Sequence, residues 1–173
     1  MYKGELGIFS LEGMAGLVPN STEFIREAAR RALSESEEGR VIISDLTEAA
    51  RFSGSLGEPR EWNSGTYEGV KTFAMTPGDR FATILIPDFT LRQLYDDPAT
   101  ADVRKRPLFS LASANPDHGM YIGQVADVNG EGNAFIYEDM DFRNSDRDYN
   151  DFIFQITGAT ACFPLLDDLI DPD

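Results

Sequence analysis

Short apolar runs separated by turn residues recur along most of this chain and constrain its fold more than any other feature. The runs cover residues 5–10, 41–44, 50–56, 69–75, 80–87, 107–112, 120–125, 134–138 and 151–157. Short strands with turn signals between them are typical of β-sandwiches and related all-β folds. The sequence therefore predicts a mainly β fold, a jelly-roll-like β-sandwich of about eight or more antiparallel strands.

Turn chemistry predicts one hairpin in particular. Residues 76–79, Thr-Pro-Gly-Asp, separate two alternating apolar runs, and Pro and Gly at the centre of such a sequence favour a tight turn. We therefore expect a hairpin over residues 69–86. A single helical turn is expected at residues 90–94.

One amphipathic helix is expected near the N-terminus, over residues 21–34. Asn20 is the predicted N-cap, with Glu23 completing a capping box, and Gly39 is the predicted C-terminal cap. Apolar residues recur at helical spacing, namely Phe24, Ile25, Ala28, Ala29, Ala32 and Leu33. The arginines Arg26, Arg30 and Arg31 are expected to face solvent. The helix should pack on a sheet.

Length and composition suit one globular domain. The chain has 173 residues, of which 42% are hydrophobic and 11% aromatic, enough for a packed core. We expect a single β-sandwich domain over residues 1–160 and an acidic C-terminal tail over residues 161–173.

Charge, cysteine content and hydropathy restrict the classes of partner. A formal net charge of -15 argues against nucleic acid and anionic membrane surfaces and suits a cation. The single cysteine, Cys162, excludes an intrachain disulfide and a multi-cysteine metal site. No apolar run has the length of a membrane span, so membrane insertion is not expected. The first residues do not form a signal peptide, which predicts a cytosolic protein or a domain of a longer exported chain.

Oxygen-bearing side chains are concentrated between residues 127 and 151, in two runs separated by an apolar segment. The first run carries Asp127, Asn129, Glu131, Asn133 and Glu138. All of these except Asn133 occupy positions one, three, five and twelve of a loop whose sixth residue is Gly132, and calcium-binding loops use this spacing. The flanking residues predict strands, so we expect the loop to join two strands. The alternative is a polar hairpin whose Asn and Gly residues only form the turn.

The second run carries Asp146, Asp148, Asn150 and Asp151. The first three recur at every second residue, so their side chains point the same way in an extended segment. Like charges on one face repel unless a cation lies among them. The alternative is a solvated face on which Arg147 pairs locally. Since the run leads directly into the apolar residues 152–154, we expect both runs to converge on a shared ion or a pair of ions, with Glu138 and Asp139 between them.

Carboxylates could instead act as acid and base in a glycoside hydrolase. Such an enzyme needs a cleft lined by aromatic rings, for which Trp62, Tyr121, Tyr137 and Tyr149 are available. So many adjacent carboxylates suit a cation better than one tuned acid. Nucleophilic catalysis is less supported, because Ser55 lacks a complete Gly-x-Ser-x-Gly elbow and Cys162 has no evident partner. His118 is predicted to be a surface turn residue.

Residues 135–154 resemble a bacterial family known as domain of unknown function 4114. The shared pattern is aromatic-x-x-Glu-Asp, followed by Asp-x-Asp-aromatic-Asn-Asp and an apolar strand, and this chain keeps every position. The specific likeness covers residues 120–158, and a looser likeness upstream, which includes residues 77–81, extends it over most of the chain. The resemblance implies a calcium-binding β-sandwich whose motif residues are Glu138, Asp139, Asp146, Asp148, Asn150 and Asp151.

The family is similar in context to modules of large exported proteins, including calcium-rich adhesins and cyanobacterial surface proteins. We therefore expect a non-catalytic module that binds Ca²⁺ and serves a structural or adhesive role in a larger bacterial surface or secreted protein. The alternative is calcium-dependent recognition of a peptide or a glycan, in which a partly open ion coordinates a carboxylate or sugar hydroxyls.

Overall fold

The computed structural model describes residues 4–44, 71–100, 102, 105–116, 118–125, 133–140 and 152–160. Its elements are β1 (Glu5–Ser10), α1 (Thr22–Ala32), β2 (Gly39–Ser44), β3 (Phe81–Ile86), α2 (Leu91–Asp96), β4 (Leu108–Phe109), a 3₁₀ turn (Ala112–Ala114), β5 (Ile122–Val125), β6 (Asn133–Tyr137) and β7 (Phe152–Ile156). The prediction of a mainly β chain with antiparallel sheets and few helices is confirmed. Two compact units divide the chain, Met1–Gly119 and Met120–Asp173.

The first unit is built on a four-stranded antiparallel sheet in the order β2-β1-β3-β4. Strand β1 pairs on both sides, since Glu5 lies opposite Ser44 of β2 and opposite Ile86 of β3. All six residues of β1 are buried as a result. The predicted first strand is therefore an inner strand of this sheet.

The core of the first unit joins this sheet to helix α1. Phe9 of β1 makes edge-on ring contacts with Phe24 of α1, at 6.3 Å between centroids, and with Phe109 of β4, at 6.0 Å. Phe24 and Phe109 contact each other at 5.5 Å. Burying aromatic rings in this geometry contributes more than their apolar area alone. The predicted apolar face of the helix is confirmed as the buried face, with Leu33 packed at its margin.

Both predicted caps of α1 are wrong. Ser21 is the N-cap, and its Oγ accepts a hydrogen bond from the Phe24 N–H at 3.1 Å. Asn20 has a φ of 66°, in the left-handed region, whereas an N-cap adopts extended backbone angles. Gly39 does not cap the helix but begins β2, where a Cβ would lie 2.6 Å from the Ile8 carbonyl oxygen and 2.7 Å from that of Arg31. A close approach of backbones therefore explains this glycine.

The prediction that Arg31 faces solvent is also wrong. Its side chain is buried, and its Nη1 donates to the backbone carbonyls of Ser10 at 2.9 Å and Glu12 at 2.7 Å. Its Nε donates to the Glu27 carboxylate at 2.7 Å. The guanidinium therefore links helix α1, by hydrogen bonds, to the segment that follows β1.

Glu27 lies between two arginines of its own helix. Its carboxylate accepts hydrogen bonds from Nε of Arg30 and from Nε of Arg31, each at 2.7 Å. The hydrogen bond from Arg30 is the largest influence, and with the bond from Arg31 it outweighs burial and lowers the pKa of Glu27 from its ordinary value of 4.5 to about 2. The carboxylate thus stays ionised in acid far below its usual range.

This pKa predicts a specific acid sensitivity. Because the folded-state pKa is depressed, the stabilisation from Glu27 is complete above about pH 4.5 and is lost as the pH falls towards about 2. The Glu27→Gln variant should be less stable than the parent at neutral pH, and the gap should close in that acid range, as measured by urea unfolding. Glu23→Gln is the control, since Glu23 makes no ion pair within the described part of the chain. A gap of constant size across the acid range would contradict the prediction.

The predicted hairpin over residues 69–86 is wrong, although its turn is present. The Asp79 N–H donates to the Thr76 carbonyl at 3.3 Å, and Gly78 has a φ of 88°. Residues 71–76 are not a strand; the Lys71 ammonium donates to the Ile42 carbonyl at 2.7 Å, on β2. Strand β3 has β1 and β4 as its neighbours instead. Both sides of β3 are therefore occupied by other strands.

Helix α2 confirms and extends the helical turn predicted at residues 90–94. Thr90 and Gln93 form a capping box at its start. The Leu91 N–H, in the first turn, donates to Oε2 of Glu5 at 2.7 Å, and the Ser44 hydroxyl donates to Oε1 of Glu5 at 2.7 Å. Glu5 is only 8% exposed. Its carboxylate is therefore buried, and each of its two oxygens accepts a hydrogen bond.

The second unit contains a three-stranded antiparallel sheet in the order β5-β6-β7. Its strands lie within the predicted runs 120–125, 134–138 and 151–157, apart from Asn133, which β6 includes. The predicted strand at residues 50–56 and the predicted tail at residues 161–173 lie outside the described residues. None of the helices in the described ranges is long and apolar enough to span a membrane.

Candidate metal centre

Strand β6 positions Glu138 at one end of the second sheet. Tyr137, the last residue of β6, lies opposite Ile122 of β5 and Phe152 of β7. The next residue extends this pairing, since the Glu138 N–H donates to the Tyr121 carbonyl at 2.9 Å. The backbone of Glu138 is therefore held by the sheet.

The side chain of Glu138 is fully buried and has no hydrogen-bond partner among the described residues. Its exposed fraction is 0%, and neither Oε1 nor Oε2 accepts a hydrogen bond from any of those residues. The other buried glutamate, Glu5, accepts one hydrogen bond on each oxygen. Of these two buried carboxylates, Glu5 accepts hydrogen bonds from described residues and Glu138 accepts none from them.

Buried aromatic residues lie next to Glu138 along β6 and opposite it on the neighbouring strand. Tyr121 and Tyr137, its partner across the ladder and its predecessor, are 2% and 0% exposed. The Tyr137 ring stacks on Phe154 at 6.1 Å between centroids, and Phe154 stacks on Phe135 at 5.5 Å. Asp139, the next acidic residue, is half-buried.

An unpaired carboxylate in such a place is costly. A buried charge is normally paired or coordinates a metal, because leaving water is expensive for an ion without a partner. Ca²⁺ takes carboxylate oxygens as mono- or bidentate ligands, and Glu138 presents two oxygens to which no described residue donates. As a metal ligand, the Glu138 carboxylate therefore fits calcium.

The predicted ligands in the described residues fall at opposite ends of β6. Asn133 begins the strand, opposite Ile156 of β7, and Glu138 follows its end. Their Cα atoms are separated by about 16 Å at about 3.3 Å per residue. Residues 133–137 form a paired strand, as expected for the segment that follows the predicted calcium loop. The loop's ligand assignment stays a prediction, because Asp127, Asn129 and Glu131 lie outside the described residues.

The remaining predicted ligands lie outside the described residues. They are Asp127, Asn129, Glu131, Asp146, Asp148, Asn150 and Asp151. Among the residues that are described, no group of three or more His, Cys, Asp and Glu side chains is placed to hold a metal ion. The described part of the centre is thus Glu138 with Asp139 beside it.

The sequence did not indicate the contribution of Tyr121. Its carbonyl holds the Glu138 backbone across the ladder between β5 and β6. The apolar run at residues 120–125 predicted a strand, but the register of that strand with β6 depends on the tertiary structure.

Fold and site together define a β-rich protein with a buried acidic centre at a strand end. Residues 75–159 match the family described as Domain of unknown function (DUF4114), and this segment belongs to that family. The match runs from before β3 to after β7 and includes Glu138 and Asp139. The resemblance predicted from the sequence is confirmed. The chain matches no curated protein and no solved structure.

Proposed function

We propose that this protein is a non-catalytic calcium-binding module, in which an ion bound by Glu138 stabilises the second unit. The observation that carries the proposal is the fully buried Glu138 carboxylate, for which the described residues provide no donor. A divalent cation compensates this charge and occupies both oxygens. When calcium coordinates both oxygens, the buried charge is compensated and the ion cross-links Glu138 to its other ligands.

The second acidic run is the natural source of further ligands. Strand β7 begins at Phe152, which lies opposite Tyr137, so the segment leading into β7 joins the sheet at the Glu138 end. We assign the ligands of this ion to Glu138 and the residues of that segment, namely Asp139, Asp146, Asp148, Asn150 and Asp151. Val125 and Ala134 pair at the other end of the ladder between β5 and β6, and we propose that any ion bound by Asp127, Asn129 and Glu131 is a separate one.

Burial of Glu138 favours calcium over magnesium. Mg²⁺ requires near-octahedral geometry and gives up its water reluctantly, whereas Ca²⁺ accepts flexible, oxygen-rich coordination with few waters. A carboxylate that is 0% exposed and flanked by buried tyrosines offers little room for a hydrated ion. The centre should therefore discriminate against magnesium.

The wider role is that of a structural or adhesive module. We propose that the complete domain forms a jelly-roll β-sandwich and belongs to a larger surface or secreted protein. The family membership, the β-rich fold and the net charge of -15 support this role. Calcium cross-links would stabilise the chain without disulfides, which its single cysteine cannot form.

Terbium luminescence provides the direct test of ion binding. Tb³⁺ replaces Ca²⁺ at oxygen sites and emits when a nearby tyrosine is excited; Tyr121 and Tyr137 adjoin Glu138. We expect sensitised emission that added calcium abolishes and that equal magnesium leaves largely intact. Glu138→Gln should weaken Tb³⁺ binding by at least about tenfold, the scale on which changes around a metal site act.

Glu5→Gln is the matched control, because it changes a buried carboxylate that the protein itself satisfies. It should bind terbium as the parent does. Calorimetric titration with calcium should agree with the luminescence. An absence of calcium binding at millimolar concentrations, or equal binding by the Glu138→Gln variant, would reject the proposed function.

A further inference from the structure

We infer that calcium controls the folding of the second unit alone, while the first unit folds without it. This inference rests on the calcium site proposed at Glu138 and goes beyond it, since bound calcium could equally stabilise the whole chain. It follows from where the core, the satisfied charges and the unsatisfied carboxylate lie along the chain.

The first unit has its own packed core. The main cluster of buried apolar residues runs from Phe9 to Ala114, entirely within Met1–Gly119. The buried carboxylate of Glu5 and the guanidinium of Arg31 are both hydrogen-bonded inside the same unit. Neither the core nor these charged groups involves Glu138. The first unit therefore has what it needs to fold in the absence of an ion.

The described part of the second unit has a smaller sheet and contains the carboxylate without a donor. Its described sheet has three short strands, of four, five and five residues, which is close to the smallest sheet that is stable in water. The cost of burying the Glu138 carboxylate falls on the same unit, because Glu138 follows β6 directly. Among the described carboxylates, Glu138 has the largest free-energy cost of burial without a partner. This cost falls on a sheet that is only marginally stable.

Removing the ion should open this sheet from the Glu138 end. Hydration of the carboxylate requires that Glu138 leave its buried position, which breaks its hydrogen bond to Tyr121 and exposes the junction of Tyr137 with Ile122 and Phe152. Rebinding of calcium stabilises the closed form in proportion to its occupancy. The ion thus controls the folding of the second unit.

Hydrogen–deuterium exchange with mass spectrometry tests this on the full chain, in calcium and in chelator. At calcium about a hundred times its dissociation constant, amides of β5, β6 and β7 should exchange about a hundredfold more slowly than in chelator. Amides of β1, α1 and β3 should exchange at the same rate in both. The Glu138→Gln variant, whose side chain is neutral, should keep the second sheet protected in chelator, and Glu138→Met is a second neutral variant.

The outcomes separate this inference from the proposed function. If terbium and calcium bind but exchange changes equally in both units, or in neither, the inference is wrong and the calcium site stands. If both neutral variants lose protection of the second sheet in chelator as the parent does, the Glu138 charge is not the cause and the inference is also wrong. If no ion binds, both proposals are rejected. Glu5→Gln should accelerate exchange in the first unit only, independently of calcium.

Discussion

The Glu138→Gln variant should be less stable than the parent chain in calcium and more stable than it in chelator. In calcium the variant loses a ligand, and with it up to about 2.7 kcal/mol of stabilisation at a hundred times the dissociation constant. In chelator it loses an unpaired buried charge, which costs the parent about 1–3 kcal/mol or more. The same substitution therefore acts in opposite directions, depending on the ion.

Urea unfolding followed by tyrosine fluorescence and by circular dichroism, with and without calcium, measures both effects. Glu5→Gln is the control. Its amide NH₂ group would replace one accepting oxygen and would face another donor, either the Leu91 N–H or the Ser44 hydroxyl. That variant should lose about 1–3 kcal/mol in both media. A loss of stability of equal size for Glu138→Gln in calcium and in chelator would show that Glu138 has a purely structural partner.

The Arg31→Met variant should lose about 3 kcal/mol or more of stability, the largest effect expected in the first unit. Methionine can fill the space of the aliphatic stem but donates no hydrogen bond. The carbonyls of Ser10 and Glu12 lose their donor, and Glu27 loses one of its two arginines. Arg31→Lys should recover only part of the loss, because an ammonium lacks the planar fork that serves three acceptors at once.

Arg26→Met provides the control for Arg31→Met. Arg26 lies on the same helix, is exposed, and makes no ion pair with any residue that the structure describes. Its replacement should change the free energy of unfolding by no more than about 0.5 kcal/mol. Equal losses from the two substitutions would mean that the Arg31 hydrogen bonds contribute nothing beyond helix propensity.

The acidic centre was partly predictable from residue order. The position of Glu138 between an apolar strand and a second acidic run predicts a metal ligand there. The structure buries this carboxylate without a hydrogen-bond donor among the described residues, and metal binding stays a prediction. The calcium-loop spacing from Asp127 to Glu138 stays a prediction, since Asp127, Asn129 and Glu131 lie outside the described residues. The structure adds that residues 133–137 form the central strand β6, which separates the backbones of Asn133 and Glu138 by the length of that strand.

The fold shows the same division. Helix α1 was predictable because its apolar positions repeat at helical spacing and are the positions that are buried. The hairpin at residues 69–86 was not, because the turn chemistry at residues 76–79 specifies a bend and not the strand that follows it. The neighbours of β3 are β1, far away in the sequence, and β4.

The amino-acid order alone determined the β-rich class, the apolar face of α1, the family pattern and the acidic character of the centre, since these depend on local periodicity and residue type. Only the tertiary structure decided that Arg31 is buried, that Glu5 is satisfied, and that Glu138 has no donor among the described residues. Those properties depend on which distant groups meet each charge, and strand register sets this. A sequence pattern specifies which atoms can bind an ion, whereas the fold determines which of them lack any other partner.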